Sequence, residues 1–214
     1  MSQLTRHVDT SVVKHKRGFL SPMLSKIRDQ VLDFVREDEV KILDIGCGNG
    51  LLFVQMLLGR KSKLSCLGID LSFENLQEAG QVFKSNAING CQLIQGDGLR
   101  LPFQPGQFDQ VFCLNTIYNL PSISKAERLI DQMTQMCVPN GSIVFDMRNA
   151  HNPLVRLKYW LHNWKGGFQT NAYKYWEIAE MLDRKGFMVA RKLPIGPPTR
   201  WLAYAYLIEA KRKI

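Results

Sequence analysis

The chain has 214 residues, 45% hydrophobic and 22% charged, with a formal net charge of +9. That length fits one well-cored domain and is short for two, and the composition excludes a disordered or fibrous chain. No apolar run approaches the roughly 18–20 residues of a membrane span, and the first 20 residues, rich in charge, lack the apolar centre of a secretory signal.

Charge is unevenly placed. Residues 1–39 hold seven Lys/Arg and six Asp/Glu, residues 40–147 eight and nine, and residues 148–214 thirteen and four. The last third therefore carries the net excess, which points to an anionic substrate or surface near it. Cys47, Cys66, Cys91, Cys113 and Cys137 are odd in number and form no CxxC pair. They read as reduced thiols of a cytoplasmic protein. The four histidines lack metal-ligand spacing, so no metal is expected.

In chain order, apolar positions from Met23 to Val35 recur at helical spacing after Pro22. A strand is expected at 40–45, then a Gly-rich turn and an apolar helix to about 58. A second strand spans 64–69, and Ser72 is a helix N-cap. Strands follow at 91–95 and 108–114. A helix over 124–137 is stopped by Pro139-Asn140-Gly141, with a strand at 142–147 after it. Pro153 opens a short helix to Trp164, and another helix covers about 172–184. Strands at 187–193 and 202–210 have no helix between them and should pair as an antiparallel hairpin. Repeated βα units predict an α/β fold, a mostly parallel sheet with helices on both faces. The whole of 1–214 reads as one domain, with 1–38 as an N-terminal helical cap and 148–172 as a lid or substrate insertion.

The strongest motif is Asp44-Ile-Gly46-Cys47-Gly48-Asn49-Gly50, where the first strand turns into a helix. Glycines there let backbone approach a ligand closely. A dinucleotide fingerprint, GxGxxG, would place its last glycine at 51, which is Leu51. A carboxylate at Asp44 sits badly beside a pyrophosphate and suits a cofactor bearing an ammonium and a sulfonium. Asp70, twenty residues after Gly50 at the end of the second strand, can accept hydrogen bonds from ribose hydroxyls, or can simply cap the next helix.

With this DxGxGxG turn the chain resembles the class I S-adenosylmethionine-dependent methyltransferases. The resemblance implies a Rossmann-like fold and S-adenosyl-L-methionine as cofactor, with Asp44, Gly46, Cys47, Gly48, Asn49 and Gly50 around it. It implies that Asp70 holds the ribose, Leu71 flanks the adenosine, and Asp97 and Gly98 lie near the adenine. The stretch after the fourth strand, Asn115 to Asn119, is where cofactor and acceptor should meet. The likeness covers about residues 38–148 closely and the final hairpin loosely.

For the acceptor, Tyr118, Asn119, Trp160 and Trp164 are candidates. On a helix over 153–164, Leu154, Leu157, Trp160, Leu161 and Trp164 fall on one arc of roughly 120°. Such a helix fits a lid over a hydrophobic substrate, an interfacial helix touching lipid, or a helix packed on the core. Gly166-Gly167 after it reads as a hinge or a helix stop. An oxygen acceptor needs a base, for which His151 and, second, Tyr118 are the candidates. The fourth-strand segment lacks the paired prolines of exocyclic-amine DNA methyltransferases, and the Pro-Cys nucleophile of cytosine-carbon methylation is absent. A small or lipid-linked anionic metabolite is the favoured substrate. An RNA methyltransferase is the alternative, since the last third is basic and aromatic. A non-catalytic protein retaining the fold is a third reading.

Overall fold

Strands that are apolar on both sides need helices on both faces, and short βα connections bring them side by side in parallel. The computed structural model describes residues 21–36, 40–58, 64–164, 170–197, 199 and 201–213. Seven strands form one sheet: β1 (Val40–Ile45), β2 (Leu64–Asp70), β3 (Cys91–Gln95), β4 (Phe108–Cys113), β5 (Cys137–Arg148), β6 (Phe187–Ile195) and β7 (Ala205–Arg212). Their order is β3-β2-β1-β4-β5-β7-β6. The first five are mutually parallel, whereas β7 runs antiparallel to both β5 and β6, as the missing helix between the last two strands predicts.

The helices are α1 (Ser21–Val31), α2 (Leu51–Leu58), α3 (Phe73–Ser85), α4 (Ile123–Met136), α5 (Pro153–Trp164) and α6 (Tyr175–Arg184). Alternation along each strand divides the core between two faces. Val111 and Cys113 of β4, with Ile143, Phe145 and Met147 of β5, pack among Leu129, Met133 and Leu182 on one side. Phe112 and Val144 face the other side, with Phe53, Val31 and Val82.

Several boundaries depart from expectation for local reasons. Strand β5 begins at Cys137 rather than 142, because Cys137 already pairs with Phe108 ahead of an irregularity in register before Gln110. The last strand starts at Ala205, since Leu202 and Ala203 donate back to the Thr199 carbonyl in a turn. Helix α6 starts at Tyr175, because Tyr173 is bridged to Asn149 and the Lys174 N–H is taken by Glu177 Oε2 at 2.8 Å. The Ser72 hydroxyl does cap α3, accepting from Asn75 N at 3.1 Å. The first 20 residues of the expected cap and the Gly166-Gly167 pair lie outside the described residues.

Candidate functional site

Strand order departs in opposite directions from β1 and β4, so their carboxyl ends splay apart and leave a crevice. The glycine turn after β1 is folded by its neighbour β2. The N–H groups of Gly46 and Cys47 both donate to the Ile69 carbonyl, at 2.7 and 3.1 Å. The Gly48 N–H donates to Asp70 Oδ2 at 2.8 Å. Gly46 has φ of +75°, and a Cβ there would stand 2.3 Å from Thr116 Oγ1, so no larger residue fits. Gly48, at φ +55°, has open space where a Cβ would be, on the cavity side of the turn.

The cavity at this crevice has a volume of about 720 Å³, in the range of small-molecule sites. Asp44, Gly46, Cys47, Gly48 and Asn49 line it from β1, Asp70 and Leu71 from β2, Asp97 and Gly98 from the loop after β3, and Asn115 and Asn119 from beyond β4. Gly50 does not line it: a Cβ at Gly50 would stand 2.6 Å from the Phe83 ring, so this glycine serves the packing of α2 against α3. Lining residues not foreseen include Arg28 of α1, Asn75 of α3, Leu120 of the loop after β4 and Lys125 of α4. No local motif marks them, because each arrives from a separate element.

Electrostatics sharpen the picture. Asp44 is buried, and its Oδ1 has no hydrogen-bond partner. Burial first, and then the nearby Asp70 carboxylate, push its pKa up to about 8. A buried carboxyl without a partner, facing a ligand-sized space, suits a cationic group, and the ammonium of S-adenosylmethionine is one. Asp70 is differently placed: besides Gly48, its carboxylate accepts from Ser72 N at 2.9 Å and Asn75 Nδ2 at 3.2 Å. It ties the two turns at the cavity together while lining it. Asp97 closes its own loop by accepting from Leu99 N at 2.9 Å.

Across the crevice, the loop after β4 is held by a buried ion pair. Asp146 and Arg148 of β5 are almost wholly inaccessible and bonded to each other. Asp146 Oδ1 accepts from the Asn115 N–H, and Arg148 Nη2 donates to Asn115 Oδ1 at 2.9 Å. Asn115 sits at φ +56°, a left-handed conformation that asparagine tolerates better than most residues. Its carbonyl accepts from Asn119 Nδ2 at 3.0 Å. Arg148 also donates from Nε to the Tyr159 hydroxyl at 3.1 Å, and its guanidinium lies 4.1 Å from the Tyr118 ring centre.

This network explains why some expected residues are not at the cavity. Tyr118 does not line it, since its ring is held between Arg148 and Tyr159, stacked on the latter at 6.2 Å. His151 does not line it either: the ring packs edge-on against Trp201 at 5.9 Å. Trp160 and Trp164 are exposed and away from the lining, because Val155 and Tyr159 occupy the inward face of α5. The expectation that the apolar arc of this helix packs on the core is not met, for the same reason.

Two substitutions test these walls. Between about pH 4 and 8 the folded chain holds a proton on Asp44 that the unfolded chain releases, so this group lowers stability progressively as pH rises through that window. Asp44→Asn should therefore unfold at a higher temperature than the wild type at pH 9, with the difference shrinking toward pH 4. An equal difference at both ends would contradict an unpaired buried carboxyl. Arg148→Met strands the Asp146 charge and should cost about 3–5 kcal/mol in denaturant unfolding, and adding Asp146→Leu should recover part of the loss.

Residues 42–141 match a family model described as a methyltransferase domain. The chain is 26% identical over 157 residues to a probable tRNA methyltransferase 9B of Bos taurus, covering 70% of this chain and 32% of that protein. It is 27% identical over 123 residues to a demethylmenaquinone methyltransferase of Desulfitobacterium hafniense, covering 56% and 47%. The chain thus spans less than half the length of either relative. Among solved structures, the magnesium protoporphyrin IX methyltransferase of Synechocystis PCC 6803 with bound SAH is similar at a TM-score of 0.71 and 21% identity, covering 93% of this chain and 90% of that one, a likeness of fold. Residues 42–141 thus carry the likeness to a methyltransferase domain, and the chain as a whole has the Rossmann-like α/β fold of the S-adenosylmethionine-dependent methyltransferases.

Proposed function

We propose that the chain holds S-adenosylmethionine in the β1–β4 crevice and transfers its methyl group to a small or lipid-linked, anionic metabolite. The unpaired Asp44 carboxyl carries this reading, because it is costly to the fold alone and matched by the cofactor's ammonium. Asp70 takes the ribose hydroxyls while bracing the glycine turn, Leu71 flanks the nucleoside, and Asp97 and Gly98 border the adenine. Bound there, the cofactor supplies a methyl group already activated on a sulfonium.

The acceptor end lies at Asn115, Asn119, Leu120 and Lys125. Lys125 offers a cation for an anionic acceptor, and the walls are otherwise amide and aliphatic. Neither His151 nor Tyr118 lines the cavity. Catalysis then rests on alignment and exclusion of water, which suits an acceptor already nucleophilic at neutral pH. Of the insertion read at 148–172, Asn171 reaches the acceptor side: its side chain donates to the Leu120 carbonyl at 2.6 Å and its N–H to the Tyr118 carbonyl at 2.7 Å. Of the N-terminal cap expected at 1–38, the described helix α1 brings Arg28 to the cavity. The five free thiols support a cytoplasmic setting; among the described residues, no helix is long and apolar enough to cross a membrane.

A tRNA substrate is the second reading, favoured by the tRNA methyltransferase relative and by the basic last third. It requires tRNA binding that weakens steeply with salt, and salt-independent or absent binding removes it.

Calorimetric titration with S-adenosylmethionine should give one-site binding, while NAD gives none. Affinity should rise from pH 6 toward 8 with release of a proton, because Asp44 must ionise to pair with the ammonium. Asp70→Asn should weaken binding about tenfold or more, as a charged acceptor becomes neutral. Binding that is unaffected by pH and by Asp70→Asn would overturn the assigned cofactor site.

A further inference from the structure

Helix α5 has two unlike faces. Val155 and Tyr159 are buried against the domain. Leu154, Leu157, Trp160, Leu161 and Trp164 are each between 41% and 75% exposed. At about 100° per residue, these five occupy an arc of roughly 120° whose centre lies about 180° from the midpoint of Val155 and Tyr159. A surface helix ordinarily turns its apolar stripe to the core; this one turns the larger stripe outward.

The surface extends beyond the helix. Trp201 and Leu202, 62% and 50% exposed, adjoin the start of α5, where Asn152 Nδ2 donates to the Leu202 carbonyl at 3.0 Å and Trp201 packs on His151. Its chemistry is specific. Exposed Arg156 stands about 40° beyond one edge of the arc, whereas Lys158, about 40° beyond the other, buries its Nζ in the domain. No Asp or Glu occurs between Asp146 and Glu177, so no carboxylate opposes the exposed Arg156 on this helix. An acid-free helix with aliphatic and indole side chains on one arc and an exposed guanidinium at its border is complementary to an anionic lipid surface. Indoles favour the headgroup level, and a cation near such a surface is attracted to anionic headgroups.

We propose that α5 and the Trp201–Leu202 turn dock the chain on the surface of a bilayer containing anionic lipid. The docked helix lies beside the acceptor end of the cavity: its inward Tyr159 stacks on Tyr118, the neighbour of Asn119. The docking itself does not depend on which group is methylated, so it can fail while the methyl-transfer reading stands.

The test uses the full chain with extruded vesicles of phosphatidylcholine alone and of phosphatidylcholine with phosphatidylglycerol at about 7:3. The expected result is cosedimentation at least tenfold stronger with the anionic vesicles, weakened by salt, with a blue shift of tryptophan emission. Trp160→Ser combined with Trp164→Ser should lower that partitioning tenfold or more while keeping the wild-type unfolding midpoint, since both rings are exposed. Lack of binding to either vesicle, or equal binding by the double variant, overturns the proposal. So does a wild-type dimer that the double variant dissolves, which would give the face to a second copy, or an emission shift produced by bulk tRNA and not by vesicles.

Discussion

The carboxyl of Asp44 is buried at the end of β1 with an oxygen that no protein group satisfies, and the organisation of the crevice follows from that. A core built for stability alone would place an apolar residue there, as its strand neighbours Ile42, Leu43 and Ile45 are. Asp70 is close enough to raise the Asp44 pKa further, so burial and a neighbouring acid both disfavour the charged form of Asp44. The glycine turn is the geometric counterpart. Its amides are spent on the Ile69 carbonyl and the Asp70 carboxylate, which fixes the turn without closing the space in front of Gly48.

The other wall is complete without a ligand. Asp146 neutralises Arg148, and the pair satisfies both the backbone and the side chain of Asn115, whose left-handed conformation needs such over-determination. The Tyr159 hydroxyl accepts from the guanidinium Nε. Two sides of one crevice therefore differ in kind. The β1 side holds an unmet electrostatic demand, and the β4–β5 side is a preformed polar scaffold that sets where Asn119 and Leu120 stand.

What the sequence made legible was the part governed by local chemistry. Strand and helix periods, the Ser72 cap, the absence of a helix between the last strands and the DxGxGxG turn are all written in neighbouring residues. Asp146 and Arg148 were missed because an alternating pair of charges inside an apolar strand acquires meaning only from Asn115, some thirty positions away. Gly50 was assigned to the cofactor by its spacing, whereas its closest constraint is the Phe83 ring of α3. Tyr118 lies beside the cavity-lining Asn119, yet its ring is claimed by Arg148 and Tyr159.

Helix α5 shows why an apolar arc alone does not tell which way a helix faces. Five large apolar residues would, by area, outweigh Val155 and Tyr159 in any burial argument at about 25 cal/mol per Å². Tyr159, however, brings a hydroxyl that Arg148 uses and a ring on which Tyr118 stacks. Turning the helix over would leave the Arg148 Nε unsatisfied in a dry site and uncover Tyr118, a penalty of the kind that buried polar groups impose. The same contact that orders the acceptor wall thus fixes the orientation of α5 and leaves its larger apolar face to whatever lies outside the domain. The geometry of the crevice and the chemistry of that outer surface are two consequences of one guanidinium.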